Sequence, residues 1–238
     1  NESIKAYDKA IELNQSYVEA WYSRGCILND LGEFDGAVKS FDKVIEIVPD
    51  DAVAWFYKGN ALLDQGKYDE AAKAYDAAIK IDSEITVISL YTKGMTLLSQ
   101  GEYNKSIQAF SKVVEIKPDF ATAWEAKAKA LGYLEKHDES TECYDEAVRA
   151  YDKAIKFNTS FSDYFFYLGN KSNNFYNWGN KGNILYNQGK YEEAIKAYDE
   201  VIRLDPNEIT ALSYKGYSLY LMEKYNEAIK SFDEAIKL

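Results

Sequence analysis

The sequence predicts an all-α fold, a solenoid of helix-turn-helix units repeated along the chain, and three observations predict it. Gly25, Gly59 and Gly94 are spaced by 34 and 35 residues, Ala128 follows 34 later, and Gly182 and Gly216 are again 34 apart. A second set follows, complete after four of these six: Gly32, Gly66, Gly101 and Gly189, an aromatic two further on (Phe34, Tyr68, Tyr103, Tyr191, with Tyr225 after Glu223), then a small residue (Ala37, Ala71, Ser106, Ala194, Ala228) and an aromatic four later (Phe41, Tyr75, Phe110, Tyr198, Phe232). All three prolines, Pro49, Pro118 and Pro206, fall at one place in the period, where a residue without an amide proton stops a helix. Self-similarity at this period marks a repeat architecture. With 21 tyrosines among 238 residues and few helix breakers, the helices must pack through rings.

The elements follow in order. Residues 1–17, with Ser3, Tyr7 and Ala10, read as the second helix of a truncated repeat, so the chain is expected to be a fragment or a processed product. Full repeats are expected at 18–51, 52–85, 86–120, 121–160, 175–208 and 209–238. Each contains a first helix around its Gly or Ala, a Gly turn, a second helix and a Pro turn. One pair has apolar positions on two faces, so a neighbour must cover the face that would otherwise stay wet.

The period breaks once. Ala128 to Gly182 is 54 residues, twenty too many. In the second helix of the fourth repeat, Ser140 and Ala154 are fourteen apart instead of seven, with Tyr144, Ala147, Tyr151 and Ala154 repeating the motif. Seven added residues are nearly two turns and keep one face inward. The rest lie before Trp178, in an aromatic insertion at 161–174 that reads either as part of one over-long helix pair or as a degenerate extra repeat. Its rings, Phe165 and Phe166 among them, are expected to cap the neighbouring helix or to form a homodimer contact through 161–178.

Composition removes several function classes. A net charge of −11 and a sequence pI near 4.8 disfavour nucleic acid and anionic lipid, which are gripped by clustered Lys and Arg. No apolar run is long enough to span a bilayer. Two cysteines, Cys26 and Cys143, cannot make a disulfide framework and suit a reducing, cytoplasmic compartment. The single histidine, His137, lies among charged residues at a turn, so it reads as solvated rather than as a metal ligand or catalytic base. Gly169-Asn170-Lys171-Ser172 lacks the glycine spacing of a phosphate loop. The triplets starting at Asn14, Asn158 and Asn170 would matter only in a secretory compartment. No catalytic residue, metal or cofactor is expected.

Two charge series run with the period. Arg24, Lys58, Lys93, Lys127, Lys181 and Lys215 each precede the packing Gly or Ala, and Asp8, Asp42, Asp76, Asp152, Asp199 and Asp233 each follow the second-helix aromatic. Antiparallel helices of one repeat are expected to bring the two series together as a structural ladder.

With these residues in place, the pattern resembles the tetratricopeptide repeat. Its signature of Trp, Gly, Tyr, Ala, aromatic and Ala is matched by Trp55, Gly59, Tyr68, Ala71, Tyr75 and Ala78. The resemblance implies a right-handed superhelix that binds a protein or peptide segment in a concave groove lined by first-helix positions. Carried over residue by residue, these are Glu19, Tyr22, Cys26 and Asn29; Val53, Phe56, Asn60 and Leu63; Tyr91, Met95 and Leu98; Glu125, Lys129 and Tyr133; Tyr176, Asn183 and Tyr186; then Ser213, Tyr217 and Tyr220. Some family members clamp a C-terminal carboxylate with Lys, Asn and Arg. Here Tyr22, Cys26, Tyr57, Val87 and Thr92 stand at such places, which argues against a clamp. The expectation is a non-catalytic scaffold for a segment with apolar and basic residues, with Asn60 and Asn183 bonding its backbone. A self-associating module and a regulatory arm of a larger enzyme are the alternatives.

Overall fold

The computed structural model describes residues 2–82, 85–157 and 173–238. Among them all regular structure is helical. One unit runs to Ile116 and the second from Lys117. The first contains α1 (Glu2–Leu13), α2 (Val18–Asp30), α3 (Phe34–Ile47), α4 (Ala52–Asp64), α5 (Tyr68–Ile81), α6 (Thr86–Ser99) and α7 (Tyr103–Ile116). The second contains α8 (Ala121–Tyr133), α9 (His137–Phe157), α10 (Asn173–Asn187), α11 (Tyr191–Leu204), α12 (Ile209–Leu221) and α13 (Tyr225–Lys237). Within each unit, sequential helices pack as pairs, and each pair packs on the next.

The recurring glycines serve two separate purposes. Gly32, Gly66, Gly101 and Gly189 have φ between +73 and +77°, the left-handed conformation that ends a helix and returns the chain. At Gly66 a side chain would meet nothing within 4 Å, so conformation alone demands glycine there. Gly66 N–H donates to Leu63 O (2.8 Å) and Lys67 N–H to Leu62 O (2.9 Å), closing the turn. Glu135 and Glu223 hold the same conformation without being glycine, at φ 58° and 61°.

The other glycines admit a ring. A Cβ on Gly59 would lie 2.6 Å from Tyr75 Cε1, and one on Gly94 the same distance from Phe110 Cε1. Tyr75, Phe110, Phe41 and Tyr198 are each at most 2% exposed. The second-helix aromatic therefore packs directly against the first-helix backbone at the glycine, and the small residues Ala71, Ala74 and Ala78 complete that layer. Trp55 Nε1–H donates to Pro49 O (3.1 Å) and Trp124 Nε1–H to Pro118 O (2.8 Å). Each tryptophan thus ties its helix to the turn made by the preceding proline.

Helix α9 has 21 residues where most second helices have 14. Ser140 Oγ–H donates to Ala128 O on α8 (2.8 Å). Seven residues beyond the usual place, Asp145 accepts from Gln188 Nε2 (3.2 Å) and Lys190 Nζ (2.9 Å), as Asp35 does from Gln65 (2.6 Å). The extra two turns therefore shift the register that α10 reads while the same face stays inward. Helix α10 already runs from Asn173, so the last two positions of the expected 161–174 insertion are helical. The rings at 164–167, and the cap or dimer contact expected of 161–178 as far as it involves them, lie outside the described residues.

Candidate binding face of the first helices

In the first unit the exposed side of α2, α4 and α6 is built around aromatic rings. Tyr22 meets Tyr57 edge-on at 5.4 Å and Phe41 at 5.7 Å. Burial pushes the Tyr22 phenol well above its ordinary range, with Tyr57 adding to it, so it stays a neutral donor. Cys26 lies beside it, its thiol pushed up to about 11 by burial and then by Asp30. Asn29 Nδ2–H donates to Asp64 across the two helix ends (3.3 Å). Of the expected groove residues, Tyr22, Asn60, Leu63, Tyr91 and Leu98 are half-buried and Met95 is exposed. Phe56, at 6% exposure, is inside the core against Tyr75.

The charge series correct the sequence reading. Arg24 bonds Asp8 (2.7 Å), Lys58 bonds Asp42 (2.6 Å) and Lys93 bonds Asp76 (2.5 Å). Lys215 bonds Asp199 (2.7 Å), and Lys181 pairs with Asp152. Every pair joins a first helix to the second helix of the preceding repeat, not of its own. The within-repeat contact is taken by the ring lying on the glycine, which leaves the aspartate one residue on facing the next pair. Three of the bases also sit near the tryptophan three residues back, Lys58 over Trp55 (5.0 Å), Lys181 over Trp178 (5.2 Å) and Arg24 over Trp21 (5.9 Å).

Partly exposed pairs contribute only roughly 0–1 kcal/mol each, but they decide the electrostatics of the free face. Arg24, Lys58 and Lys93 are the only bases of α2, α4 and α6, and all three are held at the seams. The remaining charges of these helices are Glu19, Asp30 and Asp64. Asp30 and Asp64 close α2 and α4, and neither helix has a base in its last turn. A helix C-terminus is already negative, so carboxylates there favour an incoming cation. Sequence reading passed over both. Their signal was an acid two residues before the turn glycine, where the helix dipole favours a base.

The second unit differs. Helices α10 and α12 contain no Asp or Glu, and their single bases, Lys181 and Lys215, are in the seam pairs. Tyr217 and Tyr220 are exposed, Tyr186 is half-buried and Asn183 is exposed. On α8, Lys129 is exposed and bonds Glu125 (2.6 Å), which also accepts from Tyr151 Oη–H (3.0 Å). Both expected asparagines are already oriented: Tyr75 Oη–H donates to Asn60 Oδ1 (2.8 Å) and Tyr198 Oη–H to Asn183 Oδ1 (3.0 Å). Their amide NH2 groups, rather than whole carboxamides, are what they can offer a ligand.

Among the described residues no group of His, Cys, Asp and Glu could hold a metal, and no helix is long and apolar enough to cross a membrane. Stacked antiparallel pairs with ring-on-glycine packing define a helical-repeat scaffold. Profiles of the tetratricopeptide repeat match residues 6–39, 30–84, 62–130, 121–153 and 176–208, and the chain belongs to that family. Its members are generally non-catalytic scaffolds for protein interaction. Among solved structures, a crystal structure of MamA is 26% identical, with a TM-score of 0.60 over 64% of this chain and 89% of that one. The Cut9–Hcn1 assembly is similar in fold over 100% of this chain and 43% of that one, with TM-score 0.63 and 15% identity. YrrB, described as a TPR protein with an unusual peptide-binding site, is 19% identical, with TM-score 0.53 over 88% of this chain and 97% of that one. No curated protein gives a significant match.

Proposed function

We propose that the chain is a non-catalytic scaffold whose first unit holds a partner segment carrying apolar or aromatic anchors and a Lys or Arg. The observation that supports this most is the seam ladder. It engages Arg24, Lys58 and Lys93 at the seams and leaves Glu19, Asp30 and Asp64 as the remaining charges of the helices that carry Tyr22, Leu63, Met95 and Leu98. Apolar side chains gain by burial against that surface, and a cation finds opposite charge that steers encounter and fixes register. Asn60 offers its amide NH2 to the segment's backbone. A reducing, cytoplasmic setting fits this reading, given the thiols of Cys26 and Cys143.

The test is titration of the 238-residue chain with a short Leu/Tyr/Lys peptide, followed by tyrosine and tryptophan fluorescence. The same peptide with Glu for Lys and a C-terminally amidated version serve as comparisons. The Lys peptide should bind, weaken with salt, and be indifferent to amidation, whereas the Glu peptide should not bind. A large loss on amidation would favour a carboxylate clamp and overturn the proposal.

A further inference from the structure

Three departures from the repeat meet at one seam of the first unit. Ala72 on α5 stands where other second helices have Val38, Ile107, Val148, Ile195 and Ile229. Leu90 on α6 stands where Trp21, Trp55, Trp124 and Trp178 stand, a place that α12 fills with Leu212. Lys105 on α7 stands where other second helices have Glu70, Glu139, Glu193 and Glu227. It lies in the first turn of α7, where the helix dipole favours an acid. Residues that break a local rule in this way mark functional or strained sites.

The two smaller side chains leave the seam under-filled. Val38 packs on the core of α4 and α5, but at Ala72 there is instead a furrow of about 340 Å³. Its apolar lining is Ala72, Ile79, Leu90, Leu97 and Ala109, of which Leu90, Leu97 and Ala109 are buried and form a floor. The rim is basic, with Lys73 on α5 and Lys105 and Lys112 on α7, all exposed. Lys105 pairs with Glu102, Lys93 with Asp76, and Asp69 accepts from Gln100 (3.4 Å). Lys73 and Lys112 make no ion pair among the described residues, so a surplus of positive charge faces the furrow in a chain of net charge −11. The repeat does not require this, because α9 has Glu139, Glu142 and Glu146 at the places of Lys105, Gln108 and Lys112. The furrow uses Leu90, Lys93 and Leu97 of α6, a different stripe from Tyr91, Met95 and Leu98.

An aliphatic side chain gains by covering the apolar floor, and carboxylates flanking it meet lysines on both walls. One exposed ion pair gains little, so a single carboxylate does not suffice. Lys105 and Lys112 are seven residues apart, about 10 Å along a helix, which is about three residues of extended chain. An acid-aliphatic-aliphatic-acid core spans that distance.

We propose that this seam furrow is a docking site for an acidic segment of a partner protein, with an aliphatic anchor flanked by Asp or Glu. It is a separate site from the first-helix face and stands or falls independently of that reading. The probe is a dye-labelled, end-capped Glu-Glu-Leu-Leu-Glu-Glu peptide titrated with the full chain and followed by fluorescence anisotropy, beside the same peptide with Gln for Glu.

The Glu peptide should bind, weaken with salt, and lose about tenfold or more in Lys105→Glu/Lys112→Glu, whereas the Gln peptide should not bind. Ala72→Ile gives α5 the residue found at that place in α7 and α11, and fills the furrow. It should lower affinity about tenfold or more, as when an anchor loses its pocket, with the melting temperature kept or raised. Asp30→Asn/Asp64→Asn should leave binding of the Glu peptide unchanged while weakening the Lys peptide, which keeps the two proposals distinguishable. No binding of the Glu peptide, equal binding of the Gln peptide, or full affinity in either furrow variant with the helical spectrum intact would each overturn the proposal. Self-association of the chain alone, abolished by Lys105→Glu/Lys112→Glu in light scattering, would give the furrow to a second copy and also overturn it.

Discussion

Replacing Gly59 with Ala puts the packing of the repeat to a quantitative test. The added Cβ would sit 2.6, 2.8 and 3.0 Å from Tyr75 Cε1, Cδ1 and Cζ, closer than carbon atoms tolerate. Tyr75 has little room to withdraw: it is fully buried, its hydroxyl is bonded to Asn60 at 2.8 Å and its ring leans on the buried Phe56 at 5.8 Å. Overpacking of this kind costs about 1–3 kcal/mol. Alanine returns about 1 kcal/mol through its higher helix propensity, so the net expectation is a loss of about 0–2 kcal/mol. Gly179→Ala is the control, since its nearest contact would be Val201 Cγ2 at an ordinary 4.0 Å. It should gain up to about 1 kcal/mol. Urea melts followed by circular dichroism, with hydrogen exchange of α4 and α5 amides, measure both. If Gly59→Ala is as stable as Gly179→Ala, the ring-on-glycine account is wrong.

Other perturbations follow from the turns, seams and thiol. Glu135→Gly and Glu223→Gly should each stabilise by about 0.5–1 kcal/mol in the same melts, because a left-handed non-glycine residue costs about 1–2 kcal/mol and glycine gives part of that back in entropy. Gly66→Ala should destabilise despite its open surroundings. A double-mutant cycle should find coupling of up to about 1 kcal/mol between Lys58 and Asp42 and none between Lys58 and Asp76, its own repeat's aspartate. The Cys26 thiol, pushed up to about 11, should alkylate slowly at a pH where free thiols, with pKa about 8.5, react readily. Its raised value favours the protonated form in the fold, so that stability is present below the ordinary thiol pKa and lost as pH rises through about 11. Alkylation of the native chain that tracks an ordinary thiol would contradict this.

What the sequence revealed depended on whether a signal was periodic. Gly25, Gly59, Gly94, the second-helix rings and the three prolines recur at a fixed spacing because each answers one backbone demand, so they are readable without coordinates. The partners of the charge series were not readable. Spacing shows that Lys58 and an aspartate recur together, but whether the lysine reaches Asp42 or Asp76 depends on which way each helix pair leans on its neighbour. The depth of Phe56 was not readable either: at 6% exposure it packs on Tyr75, while its counterpart Tyr22, with the same ring contact to Phe41, stays half-buried. The hydroxyl bonds that orient Asn60 and Asn183 span fifteen residues and carry no local signature. Asp30 and Asp64 gain their meaning only once the ladder has engaged Arg24 and Lys58, the single bases of their helices.

The most direct measurement is where a bound segment lies. The Lys-containing peptide can carry a photoreactive phenylalanine at its aromatic position and be cross-linked to the full chain, with the attachment sites read by mass spectrometry. The account predicts attachment at Tyr22, Tyr57, Leu63, Met95 or Leu98, and loss of that attachment in Asp30→Asn/Asp64→Asn. The first unit also has a competing furrow of about 340 Å³ lined by residues of α5, α6 and α7, among them Asp69, Lys73, Asp76, Lys93, Lys105 and Lys112. Attachment in that furrow, or attachment to the first-helix face that survives removal of both carboxylates, would contradict the account.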